Sequence, residues 1–234
     1  MTISKAPSRT SRTSRAAKAN ADLRTLFAPT RRSSMALYSA ADCLYSHRAR
    51  LVLHEKNISA EVIIVTPENT PLEVAGLNPY HTLPILIDRD LTIYHSPIIM
   101  DYMDERFPHP PLMPIDPISR ARTRLILYRI ERDWYSLLEV LDSKPDRHLA
   151  TRTRKALRES LTSSAPLFAQ KAFFLSDEMS MVDCSLAPLL WRLPHYGVEL
   201  PTQAKAVEQY GKRLFAREAF QTSLTETERE LRRP

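Results

Sequence analysis

Cys43 and Cys184 are the two thiols in a chain of 234 residues. Cys43 opens the segment CLYSHRARLVLHEKN, in which Tyr45, Ala49, Val52 and Leu53 fall at helical spacing. A thiol at a helix N-terminus faces the positive end of the helix dipole, which favours the thiolate nucleophile. Cys184 lies in the apolar run SMVDCSLAPLLWRL and reads as a packed, structural cysteine. Ser96 opens SPIIMDYMDERF, where it is expected to cap a helix with Pro97 at the first helical position. The seven histidines are scattered without i, i+4 pairs or cysteine neighbours, so no zinc site is expected. Three glycines leave no room for a Gly-rich phosphate loop.

A second cluster is of another kind. Phe107-Pro-His-Pro-Pro-Leu-Met-Pro114 puts four prolines and His109 directly behind a helix. Prolines fix φ, so such a segment stiffens a linker and also loses little entropy when a partner docks on it. Stiffening alone accounts for the prolines but not for His109, Leu112 and Met113.

Around these residues the elements alternate. MALYSA (35–40), AEVIIV (60–65), LPILID (83–88) and LTIY (91–94) read as strands, the last two joined by a hairpin at Arg89-Asp90. Helices are expected over CLYSHRARLVLHEKN, in a short piece around Leu72–Ala75, and over SPIIMDYMDERF, whose apolar face is Ile99, Met103 and Phe107. Beyond the prolines the pattern is helical throughout. Leu127, Ile130, Trp134, Leu137 and Leu141 form one stripe; Leu149, Thr153, Leu157, Leu161 and Phe168 form another. SMVDCSLAPLLWRL and QAKAVEQYGKRLFAREAF supply two more segments, and Trp134 and Trp191 lie on apolar faces. Arg120, Arg122 and Arg124 make a basic cluster, read either as a solvated face or as a match for an acidic patch.

Apolar residues make up 43% and charged residues 26%, as in ordinary globular proteins. No apolar run is long enough to span a membrane and no secretory signal is evident, and two cysteines suit a reducing cytoplasm. The net charge of +6 is concentrated: residues 1–34 hold eight Lys or Arg against one Asp, a balance of +7, leaving −1 for the other 200 residues. That leader is expected to be disordered, with a transit peptide or a true start at Met35 as alternatives. A near-neutral body lacks the electrostatic footprint of a duplex DNA binder.

The order β-α-β-α-β-β-α followed by an all-helical half resembles the glutathione transferase family. NPYHTLPILID is similar to that family's loop with a cis proline, here Pro84, and SMVDC to its capping box, with Ser180 capping, Asp183 reaching back to its amide, and Met179 and Cys184 at staple positions around it. LYSHRAR, DERFPHPPLMP, IERDWY and FFLSDEMSMVDCSLAPLLWRLP resemble one branch of the family more closely, the stringent starvation protein A branch, over residues 35 to about 231. The resemblance implies a thioredoxin-like N-terminal domain (35–107), a Pro-rich linker (108–117) and an all-helical C-terminal domain (118–234) after the leader (1–34).

The resemblance also implies function. The branch is associated with bacterial RNA polymerase and lacks transferase activity, and its Pro-His-Pro segment contacts the transcription machinery. The matching partner-binding residues here are Phe107, Pro108, His109, Pro110, Pro111 and Leu112; Asp116 departs from an aromatic residue usual in the family. Partners are then the polymerase holoenzyme with its σ factor, and a second copy or a related protein in a dimer, with DNA met only through the polymerase. No cofactor is expected. Cys43, Leu83, Pro84, His95 and Ser96 match the glutathione site in a vestigial form. Ser96 keeps the half that holds a carboxylate, whereas His95 replaces the acid or amide that holds an ammonium. Two alternatives use Cys43: a glutathione-dependent thiol transferase or reductase, and a redox sensor acting on polymerase binding.

Overall fold

The computed structural model describes residues 34–66, 69, 74 and 76–232. The basic leader lies outside them, as does the helical piece expected at Leu72–Ala75 apart from Val74, which is helical. Four strands form one mixed sheet: β1 (Ala36–Ala40), β2 (Glu61–Val65), β3 (Ile85–Asp88) and β4 (Leu91–Tyr94), in the order β2-β1-β3-β4. β1 and β2 are parallel and are joined through α1 (Leu44–Glu55), since parallel neighbours need a crossover. β3 and β4 are an antiparallel hairpin closed at Arg89-Asp90. β1 is covered on both faces. Leu37 packs into the main core with Leu51, Leu86, Ile99 and Met103. Ala36 and Tyr38 point the other way, against Val65, Ile85 and Ile87.

α2 (Ser96–Arg106) begins one residue earlier than its capping pattern implies. His95, not Ser96, is the cap residue, and it makes no side-chain cap bond. Its backbone turns into the left-handed region (φ 73°), and its carbonyl accepts from the Ile98 and Ile99 amides. Ser96 is therefore the first helical residue, and Phe107 falls just past the helix end, half-buried.

The helical domain starts at α3 (Pro117–Ile130), which Asp116 caps by accepting from the Ser119 amide at 2.8 Å. α3 continues through a π-helical turn (Glu131–Tyr135) into α4 (Ser136–Asp142). The wider turn shifts the phase of the buried stripe, so Tyr135 and Leu138 are buried while Leu137 is only partly so; Leu127, ahead of the turn, is also only partly buried. α5 (Arg147–Phe168) buries Ala150, Thr153, Leu157, Leu161, Ala165 and Phe168. In α6 (Met181–Arg192) the Ser180–Asp183 capping box forms, and the Asp183 carboxylate also accepts from the Phe174 amide and the Tyr210 hydroxyl. The segment read as one helix over 203–220 is divided into a 3-10 turn (Thr202–Ala204), α7 (Lys205–Phe215) and α8 (Glu218–Ser223), followed by α9 (Glu226–Glu230).

Candidate functional site

The Pro-rich segment leaves α2 and crosses to α3. Pro108, His109, Pro110 and Pro111 are exposed. The His109–Pro110 peptide bond is cis. Leu112 and Met113 are not part of this ridge: they are 3% and 4% exposed and belong to the main core. This corrects the placement of Leu112 on a partner-binding surface. Its side chain is an apolar plug, and its carbonyl accepts from the Met181 amide at 2.8 Å, at the start of α6.

The loop's backbone is held from below. Lys56, at the C-terminal end of α1, donates to the Asp104 carboxylate at 2.7 Å and to the Pro110 carbonyl at 2.6 Å. Asp104, in the last turns of α2, accepts from the Leu112 amide at 2.9 Å and the Met113 amide at 3.1 Å. Both side chains are buried. Next along the chain, Ile115 is 87% exposed, a large apolar side chain that sequence reading missed. Its one signal was its place between Pro114 and Asp116, after the buried pair.

The residues matched to a thiol site gather at one end of the sheet. β1 ends there, β3 begins there and β4 ends there, because Ile85 pairs with both Tyr38 and Tyr94. Cys43 is the N-cap of α1 and is partly exposed; its Sγ lies 4.0 Å from the Leu83 carbonyl, next to the cis Leu83–Pro84 bond. Cys184 is fully buried in α6, and burial pushes its thiol well above the ordinary value.

At the start of α2 the anion-binding donors are few. Pro97 has no amide, and the Ile98 amide already serves His95. Ser96 is buried, and its hydroxyl oxygen accepts from Arg48 Nε at 2.9 Å. Arg48 is itself buried, with its guanidinium between the rings of Tyr45 and Tyr135 and bonded to Glu131 at 2.7 Å. A groove of about 190 Å³ opens beside it, lined by His95, Asp101, Arg124, Tyr128 and Glu131. Arg124 reaches Asp101 at 3.4 Å and Arg120 caps the Pro114 carbonyl, so two of the three basic cluster residues bind within the chain. His95 is exposed and brings no carboxylate to the site.

A buried polar network fixes the loop before Cys43. Glu228 of α9 accepts from Arg50 and Arg192, and its backbone carbonyl accepts from Trp191. Arg50, Thr225 and Arg192 in turn donate to the carbonyls of Ala40, Ala41 and Asp42. His47 is fully buried among them: burial, then the two guanidinium groups, hold its imidazole well below the usual value. Arg192 donates toward Nδ1, so the proton sits on Nε2 and points to Ser223 Oγ at 3.0 Å.

Among the described residues no group of three or more His, Cys, Asp or Glu could hold a metal ion, and no helix is long and apolar enough to cross a membrane.

The mixed sheet, the cis proline, the helix-capped cysteine and the helical second domain define a glutathione transferase fold. Residues 37–111 match the glutathione S-transferase N-terminal domain and residues 124–218 its C-terminal domain. An omega-class glutathione transferase of Trametes versicolor superposes with a TM-score of 0.74 at 22% identity, covering 89% of this chain and 90% of that one. Human glutathione S-transferase omega-2 is 32% identical over 165 residues, 69% of this chain and 68% of that protein. Within that fold, a stringent starvation protein A homolog of Coxiella burnetii is 45% identical over 203 residues, 86% of this chain and 97% of that protein. The chain belongs to the stringent starvation protein A family.

Proposed function

We propose that the protein is a non-catalytic transcription regulator that binds bacterial RNA polymerase, with its σ factor in contact, and alters transcription under starvation or stress. The docking surface is the exposed run Pro108–Pro111, extended by the half-buried Phe107 and by Ile115. The observation that carries this reading is that the run is exposed while its backbone is fixed, through Pro110 at one point and Leu112 and Met113 at its end. Among the described residues the side chains of 108–111 make no hydrogen bond or ion pair, so their polar and apolar atoms are available to a partner. A pre-ordered surface loses little entropy on docking. The family resemblance supplies the identity of that partner.

The test is recovery of polymerase holoenzyme on the immobilised protein. Pro108→Ala/His109→Ala/Pro111→Ala changes solvent-facing side chains and leaves Pro110, whose carbonyl Lys56 holds. Loss of recovery at unchanged melting temperature supports docking; equal recovery removes it.

The rival reading is a glutathione-dependent thiol transferase using Cys43, favoured by that residue's place at the α1 N-cap beside cis-Pro84. Against it stands His95, which leaves the γ-glutamyl ammonium without a charge-assisted partner worth about 1.5–3 kcal/mol. Isothermal titration with glutathione separates the two: binding heat in the micromolar-to-millimolar range would favour the enzyme.

A further inference from the structure

We infer that the buried Lys56–Asp104 pair is a positioning device for the docking loop, so that polymerase affinity depends on two residues beneath the surface that polymerase meets. The inference rests on the docking reading above and adds the residues that shape the surface.

The pair makes four bonds, and three of them end on the loop's backbone. Lys56 Nζ holds the Pro110 carbonyl at 2.6 Å, and the two Asp104 oxygens take the Leu112 and Met113 amides at 2.9 and 3.1 Å. The fourth joins the two side chains at 2.7 Å. The residues come from the ends of two different helices, α1 and α2, so the loop is referenced to the N-terminal domain. From the other side the Leu112 carbonyl is tied to the Met181 amide of α6, which references the same point to the helical domain.

Stability alone does not account for this arrangement. A buried ion pair commonly adds no more stability than apolar side chains of similar volume in its place. What apolar side chains cannot supply is a donor for the Pro110 carbonyl and acceptors for two buried amides. The specific consequence of Lys56 and Asp104 is thus where residues 110–113 lie, and with them the exposed Pro108 and His109.

The experiment pairs amide hydrogen exchange with polymerase affinity in Lys56→Met/Asp104→Asn, which removes both charges together and leaves neither unpaired. Exchange at Leu112 and Met113 should rise about tenfold or more, and polymerase affinity should fall by about tenfold, as expected for a displaced hydrogen-bonding surface. Unchanged exchange at those amides, or faster exchange with undiminished affinity, overturns the inference. If the double variant does not fold, Asp104→Glu keeps the charge and displaces the carboxylate by one methylene, and it is judged on the same two readouts. Pro108→Ala/His109→Ala/Pro111→Ala is measured in parallel. If that variant loses affinity and the pair variant does not, the positioning role alone fails. If it too retains full affinity, the docking reading fails and the positioning role falls with it.

Discussion

His47 lies where helices from both domains meet, and it titrates against a surplus of positive charge. Arg50 and Arg192 face it, Glu228 lies 3.5 Å from Nδ1, and Ser223 Oγ accepts a hydrogen bond from its Nε2–H. Its folded-state pKa is lowered, so between that value and the unfolded value near 6.5 the unfolded chain binds the extra proton. The stability tied to this group is complete above about pH 6.5 and is lost as pH falls below it, with a slope approaching about 1.4 kcal/mol per pH unit. His54 is shifted in the same direction, by burial and then by Arg50. Urea unfolding between pH 5 and 7.5 should show at least this slope, and His47→Gln, which keeps a donor and an acceptor, should reduce it and leave the share that belongs to His54. Leu112 gives a second residue-scale expectation. As a core plug, Leu112→Ala should cost about 2–5 kcal/mol in unfolding free energy, whereas a ridge side chain would cost almost nothing. Cys43 at a helix start was legible as a local pattern, whereas the cis Pro84 and the Ser180–Asp183 box were legible through the resemblance of NPYHTLPILID and SMVDC to the family's motifs. Lys56 and Asp104 were not, since a pair separated by 48 positions leaves no local trace.

At the scale of elements, the π turn at Glu131–Tyr135 shows why a regular stripe misled. Residues 127, 130 and 134 fit one helical face, and nothing in their spacing signals that the next face is read from 134, 138 and 141. The short α9 escaped notice for a related reason: ETERE is polar, and its role rests on one residue, Glu228. That carboxylate is fully buried and balances two guanidinium groups. Glu228→Gln should therefore destabilise the protein by about 3–5 kcal/mol, the usual cost of leaving buried charge unpaired. The same variant should loosen residues 40–42, whose carbonyls are held by the arginines and by Thr225, and hydrogen exchange in the α1 N-terminus would report it.

Across the whole molecule, the β-α-β and hairpin order and the change to pure helix at the prolines were readable, because strand and helical periods alternate before the prolines and only the helical period of about 3.6 follows them. The way the two halves are locked together was not, since it depends on Arg48, Arg50, Arg192 and Arg217, basic residues that sequence patterns place in solvent. Arg48, Arg50 and Arg192 are buried, and Arg217 clasps Glu55 through two bonds of 2.7 Å. Outside, Ile98, Ile118, Leu125 and Tyr128 expose more than half of their surface on α2 and α3. The central claim is that function resides in the Pro108–Pro111 ridge and not in the thiol end of the sheet. The most direct measurement is the affinity of polymerase holoenzyme for the wild-type chain, for Pro108→Ala/His109→Ala/Pro111→Ala and for Cys43→Ser. The account predicts binding by the wild type and by Cys43→Ser and loss in the ridge variant, all three with the same melting temperature. Full binding by the ridge variant, or loss confined to Cys43→Ser, would contradict it.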